Sequence, residues 1–268
     1  MHSTGSKLGF DITIATKTET RDVPFRAVGL IAFLIAAGAT VYWTGSMGGG
    51  MTMPGGWTLS MIWMRMPGQA WLGSAGSFMA MWLAMMIAMM LPALWPSLER
   101  YHREARDSDH ARLRTLGAAA AYFLVWAGVG AVVYLLGVSL AASEMRSPGL
   151  AHLVPVAAGA AVVLAGVFQL TPWKARHLAS CRAGLACGSP VNFRSASRLG
   201  VGYGVSCAFC CAGFMLVLVV TGMMNLLTVV LLAAAITIER VVTRPEWAVR
   251  AAGVTALGLG ALFLVRAS

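Results

Sequence analysis

Seven apolar stretches run almost end to end through this chain, near residues 27–45, 77–97, 116–138, 153–171, 200–221, 224–240 and 249–266. A hydrocarbon core of roughly 30 Å is crossed by about 20 helical residues, and each stretch reaches or approaches that length. Strands with open edges would leave backbone groups unpaired in lipid, so the stretches must be helical. The expected fold is an all-α membrane protein, a bundle of about seven transmembrane helices. Composition agrees: 58% of the 268 residues are hydrophobic and 11% charged, against about 25% charged in soluble domains. A soluble globular enzyme is thereby excluded. The fifth and sixth stretches form one block too long for a single crossing, and the division is placed at Gly222-Met-Met-Asn225.

Charge gives the orientation. Summed over alternate sides of the seven spans, 17 Lys and Arg fall on one side and three on the other. Positive residues favour the cytoplasm, so the N-terminus is expected there and the C-terminus outside. Residues 1–26 read as a polar cytoplasmic arm and 27–268 as a single transmembrane domain. The arm holds no apolar run, so no cleavable signal peptide is expected. No GxxxxGK[ST] motif is present, and the chain is not expected to drive transport with ATP on its own. The net charge of +10 sits in short loops beside apolar segments, which fits contact with lipid rather than nucleic acid. In the first external loop, residues 46–76, the apolar piece Trp57–Leu72 is too short to span and is expected in the interface plane.

Sulfur is distributed unevenly. Twelve of the 17 methionines lie between residues 47 and 90. Six belong to the external loop (Met47, Met51, Met53, Met61, Met64, Met66) and six to the second helix (Met79, Met81, Met85, Met86, Met89, Met90). Thioether sulfur is a soft neutral ligand suited to Cu(I). At 100° per residue, Met81, Met85 and Met89 share one helix face, and Met79, Met86 and Met90 the adjoining one. Adaptable packing is the alternative reading of the helix residues; apolar insertion into the interface is that of the loop residues.

The five cysteines are Cys181, Cys187, Cys207, Cys210 and Cys211. All fall in or near the cytoplasmic side, where disulfides are disfavoured. Spacings of three and four put Cys207 on one helix face with Cys210 and Cys211. His177 and Cys181 stand four apart in the fourth loop, a chelating pair if that loop is helical. A site of His177, Cys181 and two thiols of the fifth helix would suit Cu(I), with zinc as the alternative. The competing readings are small packing residues for the thiols and a solvated side chain for His177. Gln169, Asn225 and Glu239 lie near helix ends; Glu239 reads either as the partner of Arg240 or Arg244 or as the lining of an ion path. Pro92 and Pro96 are expected to end or kink the second helix. No Ser/His/Asp or paired-carboxylate constellation suggests catalysis, and no enzymatic activity is expected.

The run Phe168-Gln-Leu-Thr-Pro-Trp-Lys174, Cys181-Arg182, Cys207-x-x-Cys-Cys211, Gly222-Met-Met-Asn225 and Glu239, with Ala88-Met-Met-Leu-Pro92 and Pro96, resembles a bacterial family of predicted metal-binding integral membrane proteins. The resemblance covers about residues 75–242. It marks Met86, Met89, Met90, Pro92, Gln169, Thr171, Pro172, Lys174, Cys181, Cys207, Cys210, Cys211, Asn225 and Glu239 as shared positions, and it implies a metal without naming one. Trp173 stands where many relatives carry Leu, and Cys187 is not carried over.

Together these readings lead to an inner-membrane protein that binds a soft metal, chiefly copper, with methionines collecting it outside and thiols holding it near the cytoplasm. A protein that donates or accepts the metal is the implied partner beside the bilayer. Two other readings stay open: a metal-free structural or assembly subunit, and a thiol-redox membrane protein.

Overall fold

The computed structural model describes residues 5–46, 50–52, 58–60, 63, 70–104, 110–185 and 192–267. Among them are eight α-helices: α1 (Gly5–Ser46), α2 (Trp71–Glu104), α3 (Ala111–Arg146), α4 (Pro148–Gln169), α5 (Pro172–Ala183), α6 (Phe193–Thr221), α7 (Leu226–Val241) and α8 (Pro245–Ala267). Two three-residue strands, β1 (Gly50–Thr52) and β2 (Thr58–Ser60), pair antiparallel in the loop after α1. In the described part of that loop, Trp63, within the piece expected in the interface plane, packs on Phe78 of α2.

Six helices are long and apolar enough to cross a membrane, in α1, α2, α3, α4, α6 and α8. The chain is a multi-pass membrane protein. The expected seventh span is α7, whose 16 residues extend about 24 Å, short of a full crossing. The helices also outrun their apolar stretches. Helix α1 begins at Gly5 and runs from the N-terminal arm into the first span without a break. Pro92 and Pro96 do not end the second helix, which continues through both to Glu104; both prolines are exposed.

Local sequence explains the helix ends around the α5–α7 region. Thr171 caps α5 by accepting from Lys174 N, with Pro172 at the first turn, where its missing N–H costs nothing. Asn192 and Ser195 form a reciprocal capping box at α6. The α6–α7 break falls where it was expected. Gly222 has φ 99°, a conformation that suits glycine, and the Asn225 side chain then caps α7 by accepting from Thr228 N at 3.2 Å.

Two helix pairs make the most extensive contacts, α4 with α8 and α3 with α6. Both are close backbone approaches. A Cβ on Gly166 would stand 3.0 Å from Gly253 O, and a Cβ on Gly200 only 2.2 Å from Ala118 O. Small residues that let backbones touch are the usual adhesive between helices in lipid, where no hydrophobic force drives association. Helix α2, the most buried of the spanning helices, packs against α1, α3 and α7. Its Met81, Met85, Met86, Met89 and Met90 are all buried, as is Trp82, whose Nε1–H donates to Trp126 O at 2.9 Å. The two methionine faces therefore merge into one broad buried stripe; Met79 is half-buried beside it.

Candidate metal centre

The stretch after α4, expected as a loop with a conditional helical turn, is the helix α5. Its N-terminal turn is pinned to the end of α7. Lys174, fully buried, donates from Nζ to Glu239 Oε2 at 2.6 Å and lies 4.5 Å from the centre of the Phe214 ring. Gln169 Nε2 donates to the other carboxylate oxygen at 2.5 Å. Glu239 thus pairs with Lys174, not with Arg240 or Arg244 as its neighbours in sequence suggested. Two turns further along α5, Arg182 Nη1 donates to the carbonyls of Glu239 and Arg240, at 3.0 and 2.9 Å. These are carbonyls at the C-terminus of α7 that lack helical partners.

This clamp brings Cys181 onto α6. Cys181, Cys207, Cys210 and Cys211 are free and buried. Their sulfurs lie within hydrogen-bonding range in a closed ring: Cys181 with Cys207, Cys207 with Cys211, Cys211 with Cys210, and Cys210 with Cys181. The ring is tied to its surroundings at two points. Tyr122 Oη of α3 stands 3.0 Å from Cys207 Sγ, and Tyr203 Oη donates to Cys181 O at 3.1 Å. The Cys181 thiol is pushed up to about 12, first by its bond to Cys207, against the opposing bond to Cys210, and further by burial. It holds its proton at neutral pH.

Arg240 is the member of this site that sequence reasoning missed. It was counted among the basic residues of a cytoplasmic loop, yet its side chain enters the ring. Nη2 lies 2.6 Å from Cys207 Sγ, 3.6 Å from Cys211 Sγ and 4.0 Å from Cys181 Sγ. The available signal was its position: it continues the apolar helix without a break and stands one turn after Ile236, a core residue.

His177 takes another place. Its ring packs on Trp173 at 4.5 Å and on Phe209 at 5.3 Å, one turn before Cys181. The buried α2 methionines and the four ring cysteines belong to one continuous buried cluster. Met47, Met53, Met61, Met64, Met66 and Cys187 lie outside the described residues. Among the described residues no three Cys, His, Asp or Glu side chains stand ready to close on a single ion. The Arg240 guanidinium lies among the sulfurs.

The residue types nevertheless match one class of cargo. Thiols and thioethers are soft donors, and a buried sulfur ring around a positive charge suits a soft monovalent cation. A family model for PpoB2, described as a copper chaperone, matches residues 79–263. The chain belongs to this copper chaperone family. The match takes in the α2 methionines, the α5 clamp and the thiol ring, and it agrees with the metal-binding family that the motifs resemble. No curated protein and no solved structure matches the chain. The residues shared with that resemblance divide by role. Thr171, Pro172 and Asn225 start helices, Gln169 and Lys174 hold the end of α4 and the start of α5 to Glu239 of α7, and the cysteines make the ring.

Proposed function

We propose that this protein carries Cu(I) in the bacterial inner membrane and hands it to, or takes it from, a partner protein. The observation that carries the reading is the ring of four thiols assembled from α5 and α6. The ring is the binding site and copper is the cargo, so the role is binding and transfer without catalysis. The methionines of α2, in the same buried cluster, collect Cu(I) from the outer side, and the thiols hold it at the inner one. Neutral thioethers release the ion more readily than thiolates, and this gradient favours movement towards the cysteines.

The orientation follows from charge and from the shape of α7. With the N-terminus in the cytoplasm, α5 belongs to the basic fourth loop. Helix α7 returns to the level of α5, as the Arg182 bonds to its last carbonyls require. Its short apolar length is then completed by Arg240 and Arg244 at the inner boundary, and the C-terminus of α8 lies outside. Cys207 stands 14 residues into α6, about 21 Å from its start, and so about 10 Å past Gly200, where the apolar stretch begins.

The test uses the full chain in lipid nanodiscs, loaded with Cu(I) under reducing, oxygen-free conditions and measured for metal per protein. Wild type is expected to retain copper against a moderate chelator, and Cys207→Ser and Cys210→Ser to lose most of it. Retention of zinc instead would change the cargo. Wild type that retains neither metal would remove the reading, leaving a structural subunit, or a redox protein if the thiols cycle reversibly with oxidant.

A further inference from the structure

Arg240 brings a permanent positive charge into a pocket of sulfur. A buried arginine ordinarily directs its five N–H donors at oxygen acceptors. Among the described residues Nε and Nη1 have no hydrogen-bond partner, and the adjacent carboxylate, Glu239, is turned to Lys174 and Gln169. Nη2 faces three sulfurs, at 2.6, 3.6 and 4.0 Å. Neutral thiols are weak acceptors, so hydrogen-bond satisfaction does not account for the place of the guanidinium. The position matters sterically as well. A metal–sulfur bond is about 2.3 Å long, so an ion bonded to Cys207 competes for space with Nη2, which lies 2.6 Å from the same sulfur.

We propose that Arg240 is a placeholder for the cargo: its guanidinium fills the cation position of the thiol ring in the copper-free protein and is displaced when Cu(I) binds. This rests on the copper reading of the ring. In the loading step Cu(I) leaves its donor and forms bonds to two ring sulfurs. The N–H···S contact between Arg240 and Cys207 breaks. Any proton on a sulfur that becomes a ligand passes to water, and copper stays Cu(I). The backbone at Arg240 remains fixed by Arg182, so the side chain swings while α7 stays in place. Two thiolates and one Cu(I) leave one negative charge on the loaded site. On release the guanidinium returns, and the ring is never left without a cation.

The experiment compares wild type, Arg240→Gln and Arg240→Lys as full chains in nanodiscs, by melting temperature without copper and with Cu(I), and by competition with a chromophoric Cu(I) chelator. Arg240→Gln is expected to melt lower than wild type without copper and together with it when loaded. By linkage its affinity for Cu(I) rises several-fold. Arg240→Lys, which keeps the charge, retains most of the copper-free melting temperature. An equal fall in both states, or a weaker affinity in Arg240→Gln, overturns the placeholder and leaves Arg240 a structural residue. Wild type that takes up no copper overturns the copper reading itself, a separate result. Should Arg240→Gln fail to fold, the structure of wild type loaded with Ag(I) decides: the guanidinium withdrawn from Cys207 supports the proposal, and the guanidinium still in contact with it refutes it.

Discussion

Replacing one partner of the Lys174–Glu239 pair should cost far more on one side than on the other. Both side chains are buried, at 0% and 3% exposure, and breaking a buried pair by removing one partner costs about 3–5 kcal/mol. The surroundings are unequal. In Lys174→Met the carboxylate keeps only the Gln169 amide, and the cost stays in that range. In Glu239→Gln the ammonium keeps the face of Phe214 at 4.5 Å, a contact of about 2 kcal/mol when desolvated. It also keeps an amide oxygen as acceptor, and Gln169 can turn its own oxygen inward. The cost then falls to about 1–3 kcal/mol. The double variant Lys174→Met/Glu239→Gln removes both charges and should be more stable than Lys174→Met alone. The assay is reversible unfolding in mixed micelles followed by tryptophan fluorescence, with midpoints compared at one detergent ratio. If Glu239→Gln costs as much as Lys174→Met, or if both cost under about 1 kcal/mol, the assignment of a desolvated ion pair is refuted.

Three further outcomes follow from other parts of the structure. Gly200→Ala should destabilise strongly, because the added carbon would stand 2.2 Å from Ala118 O and neither backbone can yield; Gly202→Ala, where nothing lies within 4 Å, is the neutral control in the same thermal assay. Copper should bind more weakly as pH falls from 8 to 6, since the Cys181 thiol, pushed up to about 12, must lose its proton to become a ligand; a pH-independent competition curve would mean that Cys181 does not ligate. The triple variant Met81→Leu, Met85→Leu, Met89→Leu conserves volume and should cost less than about 1.5 kcal/mol per site, yet slow copper loading of the ring from outside in reconstituted vesicles; unchanged kinetics would reduce these residues to packing.

Hydropathy made the spans legible because lipid leaves a chain few choices, and the α6–α7 break was legible because Gly222 and Asn225 are specific turn and cap residues. The helical ends beyond lipid were not, since Arg100–Glu104 or Phe193–Leu199 carry no apolar signal and are held by packing. The thiol triplet of α6 could be read from its spacing. That Cys181 joins it could not, because the approach depends on Lys174 and Arg182 reaching α7 over more than 55 residues of sequence. Arg240 was obscured by the rule that made the orientation readable: a cation at a span end counts as a loop residue, although its long stem lets it turn back inward. His177 has the spacing of a ligand, but its aromatic neighbours on α5 and α6 offer its ring a stacking site instead.

The glycine contacts that join α4 to α8 and α3 to α6 divide the molecule's stiffness unequally. Backbones in van der Waals contact have no side chains between them to rearrange, so each pair moves as a rib. Beside the α3–α6 rib lies α2, whose buried methionines are unbranched and able to change shape at little cost. On the proposed reading a soft ion would pass along this compliant side while the two ribs keep their form.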